Sequence, residues 1–274
     1  MTPQEAGAIL SPVHRRALRT AVLLLERPDF AARLGEFTGK SATRFLRMTP
    51  PALEARITRA AEAALRNALA IAVRSLDNRP GHKSASFALA GVGGAVSGFV
   101  GGSALALELP LTTALILRAI AEIARRHGED LSRLEARMEC VSVLGLSAGN
   151  SFDGPNIGYF AARAALSRLI VDASSIIVQR GAVAATAPAL GALAAGVAPR
   201  FGIIVSERAA ASALPVLGAL GGATLNLLFI RHFQRIAHGH FTIRRLERRY
   251  GSEVVQAYCR GLRFIDAPAR PALR

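Results

Sequence analysis

Three stretches of the chain run without a formal charge, and the order of small and large apolar residues within them sets the first expectations. From Ser84 to Leu107, glycines fall at Gly94, Gly98 and Gly102, each four residues after the last. Residues four apart stack on one face of a helix. The three glycines therefore predict a helix-packing face that a second backbone can approach closely, as helices do in lipid, or in the tight core of a soluble protein. At about 1.5 Å per residue the stretch is long enough to cross a bilayer core. Its glycine content works against it, at roughly 1 kcal/mol per residue relative to alanine. The second window, Gly181 to Pro199, is Ala-rich and broken by Pro188; the third, Ala209 to Ile230, is richer in Leu, Val, Ile and Phe and is the better spanning candidate. The short segment Arg200 to Arg208 between them reads as the tip of a helical hairpin. By the same logic Glu108-Leu109-Pro110 reads as a break after the first window, with Leu111 to Ile123 as the returning helix. Arg118 and Glu122 on that return are four apart and are placed to pair with each other.

Outside these windows the apolar period is that of amphipathic helices. Leu53, Ile57, Leu65, Leu69, Ala72 and Leu76 recur at helical spacing across Pro51 to Leu76, with Glu62 and Arg66 as a favourably oriented i,i+4 pair. Gly128 predicts a left-handed helix end, and Ser132 followed by Glu135 predicts a capping box for the next helix. Alternating strand patterns are almost absent. The fold class is therefore all-α, a multi-helix bundle containing apolar Gly/Ala-rich helical hairpins, with residues 1–83 as a basic amphipathic region, 84–258 as the helical core and 259–274 as a tail.

The charge pattern adds a direction. The formal net charge is +15, with residues 1–80 carrying 13 basic and 7 acidic side chains and residues 231–274 carrying 10 and 3. Basic flanks at both ends fit hairpins entering from the cytoplasmic face, or a peripheral protein held to anionic lipid. Arg244, Arg245, Arg248 and Arg249 form two pairs four apart beside Leu246 and Tyr250, and are predicted as a lipid-facing basic surface. Nucleic acid is not the expected partner, because the chain has no Trp and three Tyr and lacks aromatics interleaved with its arginine clusters. A cleavable secretory signal is not visible, since the first apolar run, Ala21 to Leu25, is short. The expected location is the cytoplasmic side of the plasma membrane, with the cytoplasm as the alternative.

Chemistry is sparse. His232, His238 and His240 do not share a helical face, no phosphate-binding loop or nucleophile elbow occurs, and Cys140 and Cys259 are far apart, so neither catalytic residues, a metal nor a cofactor is predicted. Cys140, amid Val141 and Val143, reads as a buried inert thiol. The polar candidates are those bordering the apolar windows. Glu108, Thr112, Thr113, Arg118, Asp153, Tyr159, Arg163 and Asn226 form the predicted polar or ligand cluster, with salt bridges, helix caps and a cross-helix hydrogen bond from Asn226 as their bland alternatives.

The order of motifs resembles the EcsC family. It is carried by Glu108-Leu109-Pro110-Leu111-Thr112-Thr113, Leu117-Arg118-Ala119-Ile120-Ala121 and Gly128-Glu129-Asp130. It continues through Gly158-Tyr159, Arg163, Arg200-Phe201-Gly202, Pro215, Gly218 and Asn226 to His240-Phe241, Arg245-Leu246-Glu247 and Tyr250-Gly251. Where that family tends to carry adjacent acidic residues before an aromatic pair, this chain has Ser151-Phe152-Asp153 before Tyr159-Phe160. The resemblance implies a helical, hydrophobic protein associated with an ABC transporter pair. The resulting expectation is a membrane-associated, non-catalytic protein that binds anionic lipid or a membrane partner such as an ABC transporter. A membrane-surface enzyme acting on a lipid or peptide, and a soluble helical protein with an apolar ligand cavity, are the alternatives.

Overall fold

A computed structural model describes residues 1–26, 55, 59–68, 104–146, 159–180, 186–212 and 222–265. Every described element is helical and no strand occurs among these residues, as the periodicity predicts. The elements are α1 (Pro3–Ile9), α2 (Pro12–Glu26), α3 (Ala104–Arg126), α4 (Leu134–Ser142) running into a 3-10 turn (Val143–Gly145), α5 (Tyr159–Arg180), α6 (Thr186–Ser212), α7 (Gly222–Tyr250) and α8 (Ser252–Ile265). Residues 59–68 are helical too and bury Ala61, Ala64 and Leu65, with Arg66 pairing with Glu62 as expected.

The organising element is α7, whose 29 residues span about 43 Å at 1.5 Å per residue. Phe229, Phe233, Ile236, His240, Ile243 and Leu246 follow one another at three- and four-residue steps and are all buried, with Ala237 and Phe241 beside them. The helix therefore presents one long face to the core. Against it pack α2, α3 and α8, with α6 touching it near the 3-10 turn. Helices α2 and α7 run antiparallel: His14 lies on Tyr250, and a Cβ placed on Gly239 would stand 3.0 Å from the Ala21 carbonyl oxygen. The same holds for α1 and α8, where Gly7 faces Tyr258 and Gly261 faces Pro3. Gly251, at φ 88°, makes the sharp reversal from α7 into α8 in the left-handed region that glycine enters without a Cβ penalty.

Two predicted interruptions, the break at Glu108-Leu109-Pro110 and the hairpin tip at Arg200 to Arg208, do not occur, and Pro188, predicted to break the second window, stands in the first turn of α6. Pro110 lies within α3 and Pro199 within α6. Both proline rings are on exposed faces, while Leu109, Ile116, Leu117 and Ile120 on α3, and Leu193, Val197, Phe201, Ile204 and Val205 on α6, continue the same buried stripe through them. Burying that stripe outweighs the roughly 3 kcal/mol a mid-helix proline costs. Arg200 to Arg208 is thus helix interior and not a hairpin tip. Since α3 does not begin at Pro110, Thr112 and Thr113 have no free amides to cap. The Thr113 hydroxyl instead donates back to the Leu109 carbonyl at 2.7 Å. Glu122 pairs with Arg125 and Arg126 rather than with Arg118, which is exposed.

The predicted capping box is replaced by another turn. Asp130 accepts from both the amide and the hydroxyl of Ser132, and Arg133 caps α4 without a side-chain bond. Among the described residues no helix is long and apolar enough to cross a membrane. The glycine face of Gly94, Gly98 and Gly102 and the candidate Asp153 lie outside the described residues, as does most of the third window before Gly222.

Candidate functional site

Where the end of α3, α4 and the start of α5 close on the second half of α7, a chain of polar side chains runs from the interior to the surface. Its deepest member is His240, fully buried because the core stripe of α7 places it between Ala237 and Phe241. The buried Tyr159 hydroxyl lies 2.9 Å from His240 Nδ1, and the Glu139 carboxylate lies 3.3 Å from Nε2. The second separation is longer and less well aligned than a good hydrogen bond. The arrangement that serves both ends puts the imidazole proton on Nε2, toward the carboxylate, and leaves Nδ1 to accept from Tyr159.

Outward from Glu139 the chain becomes ionic. Arg244 donates from Nη1 to Glu139 at 2.6 Å, and from Nε and Nη2 to Glu129 at 2.9 and 3.3 Å. Arg248 reaches Glu129 through Nη1 and the His127 carbonyl through Nη2 at 2.7 Å. Beside this line Arg163 clasps Glu247 at 2.9 and 2.6 Å and lies 6.0 Å from the centre of the Tyr159 ring. Three arginines thus stand against three glutamates, so the cluster is charge-compensated.

The backbone explains why Glu129 points inward. Gly128 takes φ 81°, its amide donates to the Arg125 carbonyl and that of Glu129 to Ala124, which is a Schellman ending. The predicted left-handed end is therefore present, and it turns the chain so that Glu129 and the His127 carbonyl face α7.

The titration behaviour follows from the surroundings. Burial alone would raise Glu139, but contact with His240 and the charges of Arg244 and Arg163 outweigh it and hold the carboxyl at about 2. Burial lowers His240 against the pull of Glu139, so the imidazole is neutral beside an ionised carboxylate. Glu129 is likewise resisted by burial and held down by Arg244 and Arg248. Burial pushes Tyr159 and Cys140 up, so both keep their protons, and the inert thiol predicted at Cys140 is what the structure has.

Of the predicted polar cluster, Tyr159 and Arg163 join this network. Thr112 and Thr113 are buried on α3, Arg118 faces solvent, and Asn226 is half-buried with its Oδ1 in the interior and unbonded. Glu108 belongs to the backbone of α3. The arginine face predicted on α7 splits: Arg244 and Arg248 turn to Glu129 and Glu139, while Arg245 and Arg249 stay exposed. Sequence reasoning did not single out Glu129, Glu139, His240 or Glu247 as site residues. The only signal for three of them was membership in motifs that carried the family resemblance. Among the described residues no group of three or more His, Cys, Asp or Glu is placed to hold a metal ion.

The family model described as the EcsC protein family matches residues 28–246. The chain belongs to the EcsC family. No curated protein and no solved structure matches it. In this EcsC protein the polar network from Glu129 to Arg244 lies inside the matched span, with Glu247 and Arg248 just beyond its end.

Proposed function

We propose that this EcsC protein is a non-catalytic helical module that rests a basic, partly apolar face on anionic lipid at the cytoplasmic membrane surface. The observation that carries the reading is the outer side of α2. Its inner side buries Leu18, Ala21 and Val22. On its outer side Val13 is 70% exposed and Leu23 42% exposed, with Arg16 and Thr20 between them at helical steps and Arg15 and Arg19 alongside. Ile9, at the end of α1, is exposed next to this stripe. An exposed stripe of apolar residues flanked by arginines is the composition of an interfacial helix, and each basic residue near anionic lipid contributes about 1 kcal/mol.

The polar network supports the non-catalytic half of the reading. A general acid or base needs to reach substrate, whereas Tyr159, His240 and Glu139 are buried and already committed to one another. Their geometry suits a fixed helix junction. The test is fractionation of cells producing the full chain, followed by washes of rising salt. The protein is expected to sediment with membranes and to be released as salt screens the contact. Recovery wholly in the low-salt supernatant would overturn the reading.

A further inference from the structure

The same face of α2 borders a cleft, and its chemistry narrows the lipid; this inference rests on the membrane-surface reading above. Pro12, Arg15, Arg16 and Arg19 line one side of the cleft and Tyr258 of α8 the other, enclosing about 250 Å³. The Tyr258 ring is set by its packing on α1, where a Cβ on Gly7 would touch it at 3.5 Å. In the interior network Arg163, Arg244 and Arg248 are met by acids. Among the described residues none of Arg15, Arg16 and Arg19 has an acidic group within 4 Å.

The helix end itself is not the attraction. Ser11 already takes the amide of His14 through its hydroxyl at 3.3 Å and that of Arg15 through its carbonyl at 2.9 Å. An anion here is held by side chains. The cleft is also smaller than the ~300–1,000 Å³ of pockets that engulf a small molecule, so it grips part of a ligand whose remainder stays outside. Guanidinium forks match phosphate oxygens.

We propose that the cleft seats the phosphate of a phosphomonoester lipid headgroup. Arg15, Arg16 and Arg19 bind its oxygens and the Tyr258 hydroxyl donates to it, while exposed Val13 and Ile9 enter the interface beside it. A terminal phosphate offers three free oxygens and about −1.5 to −2 charge near neutral pH. A phosphodiester headgroup offers two free oxygens and a single charge, and so gives the three arginines fewer acceptors and less negative charge to meet.

The test is flotation of the full chain with phosphatidylcholine vesicles containing either phosphatidic acid or phosphatidylglycerol, adjusted to equal surface potential. Recovery is expected to be several-fold higher on phosphatidic acid, and glycerol 3-phosphate in solution is expected to reduce it. The variant carrying Arg15→Gln and Arg19→Gln is expected to lose the difference while keeping the parental circular dichroism and melting temperature, because both side chains are exposed. Equal recovery at matched potential overturns the monoester site and leaves the membrane-surface reading standing. No recovery on either vesicle overturns both. A preference that survives in the double variant overturns the location. Calorimetric binding of glycerol 3-phosphate without vesicle recovery overturns a lipid as the source of the phosphate.

Discussion

Arg163 on α5 and Glu247 on α7 meet through two parallel hydrogen bonds, with only 15% and 9% of their side chains exposed. Removing one partner of such a pair leaves a charge in a poorly solvated place, whereas removing both does not. The substitution Arg163→Met is expected to lower unfolding free energy by about 3 kcal/mol. The double variant with Glu247→Leu is expected to recover much of that loss. Urea unfolding followed by circular dichroism measures both. If the single variant unfolds at the parental midpoint, the pair does not hold α5 to α7.

Acid should loosen the same end of α7 in two steps. His127 and His238 lie 3.4 Å apart, and both take up a proton less readily than a free imidazole: burial lowers each first, then Arg245 and Arg248 act on His127 and Arg126 on His238. His240 is lowered by its full burial. In the unfolded chain these groups protonate near pH 6.5, so below that value the unfolded state binds more protons and stability falls as pH drops. His240 contributes up to about 1.4 kcal/mol per pH unit in that window. The half-buried pair contributes less because solvent screens it. Glu139 and Glu129, held low by their arginines, give a second loss below the usual carboxylate range. Melting temperature is expected to be level from pH 8 to 7, to fall toward pH 5 and to fall again below 4.5. His238→Gln should shrink the first step. A level profile from pH 8 to 5 would refute the assignment.

How far all this was legible in the sequence depends on the range of the interaction. The helical period, the left-handed end at Gly128 and the Glu62–Arg66 pair depend on neighbours within a turn, and each is where the pattern put it. Pro110 and the short charged segment Arg200 to Arg208 misled because proline and charge are judged locally, while the stripe that carries each helix through them is held by packing partners far along the chain. The polar network was hidden for the same reason. Arg244 pairs with residues 115 and 105 positions earlier, and on α7 alone it is indistinguishable from Arg245. Only the arrival of α4 and the Glu129 turn makes one arginine interior and the other surface.

Close glycine approach does operate in this fold, at a position the zipper spacing does not mark. A Cβ on Gly239 would stand 2.8 Å from Leu25 Cγ and 3.0 Å from the Ala21 carbonyl oxygen, so even alanine must push α2 away from α7. Gly239→Ala gains about 1 kcal/mol of helix propensity but meets overpacking of about 1–3 kcal/mol, and Gly239→Leu should be worse. Gly191 is the control, since it has nothing within 4 Å of an added Cβ and lies inside a helix. Thermal melting should rank Gly191→Ala at or above the parent, then Gly239→Ala, then Gly239→Leu. Equal melting of the two Gly239 variants would mean that α2 yields freely there.

The four arginines near the end of α7 separate two kinds of experiment that the sequence alone would merge. Arg245 and Arg249 are exposed, and Arg249 lies 5.8 Å from the Tyr250 ring centre without an acidic partner among the described residues. Reversing both to Glu should leave melting within about 0.5 kcal/mol of the parent, as for other surface changes. It should weaken vesicle recovery at low salt only if this end of α7 also meets lipid, and the effect should fade once charges are screened over ~10 Å at 0.1 M. Arg244→Glu is different in kind. It sets a third carboxylate against Glu129 and Glu139, both of which the arginine neutralises, and breaking a buried pair costs about 3–5 kcal/mol before that repulsion is counted. Loss of cooperative melting in Arg244→Glu beside a parental transition in the Arg245 and Arg249 double reversal is the expected outcome. Parental melting in Arg244→Glu would mean that Glu129 and Glu139 find solvent or other partners, and that the network does not hold the helix junction together.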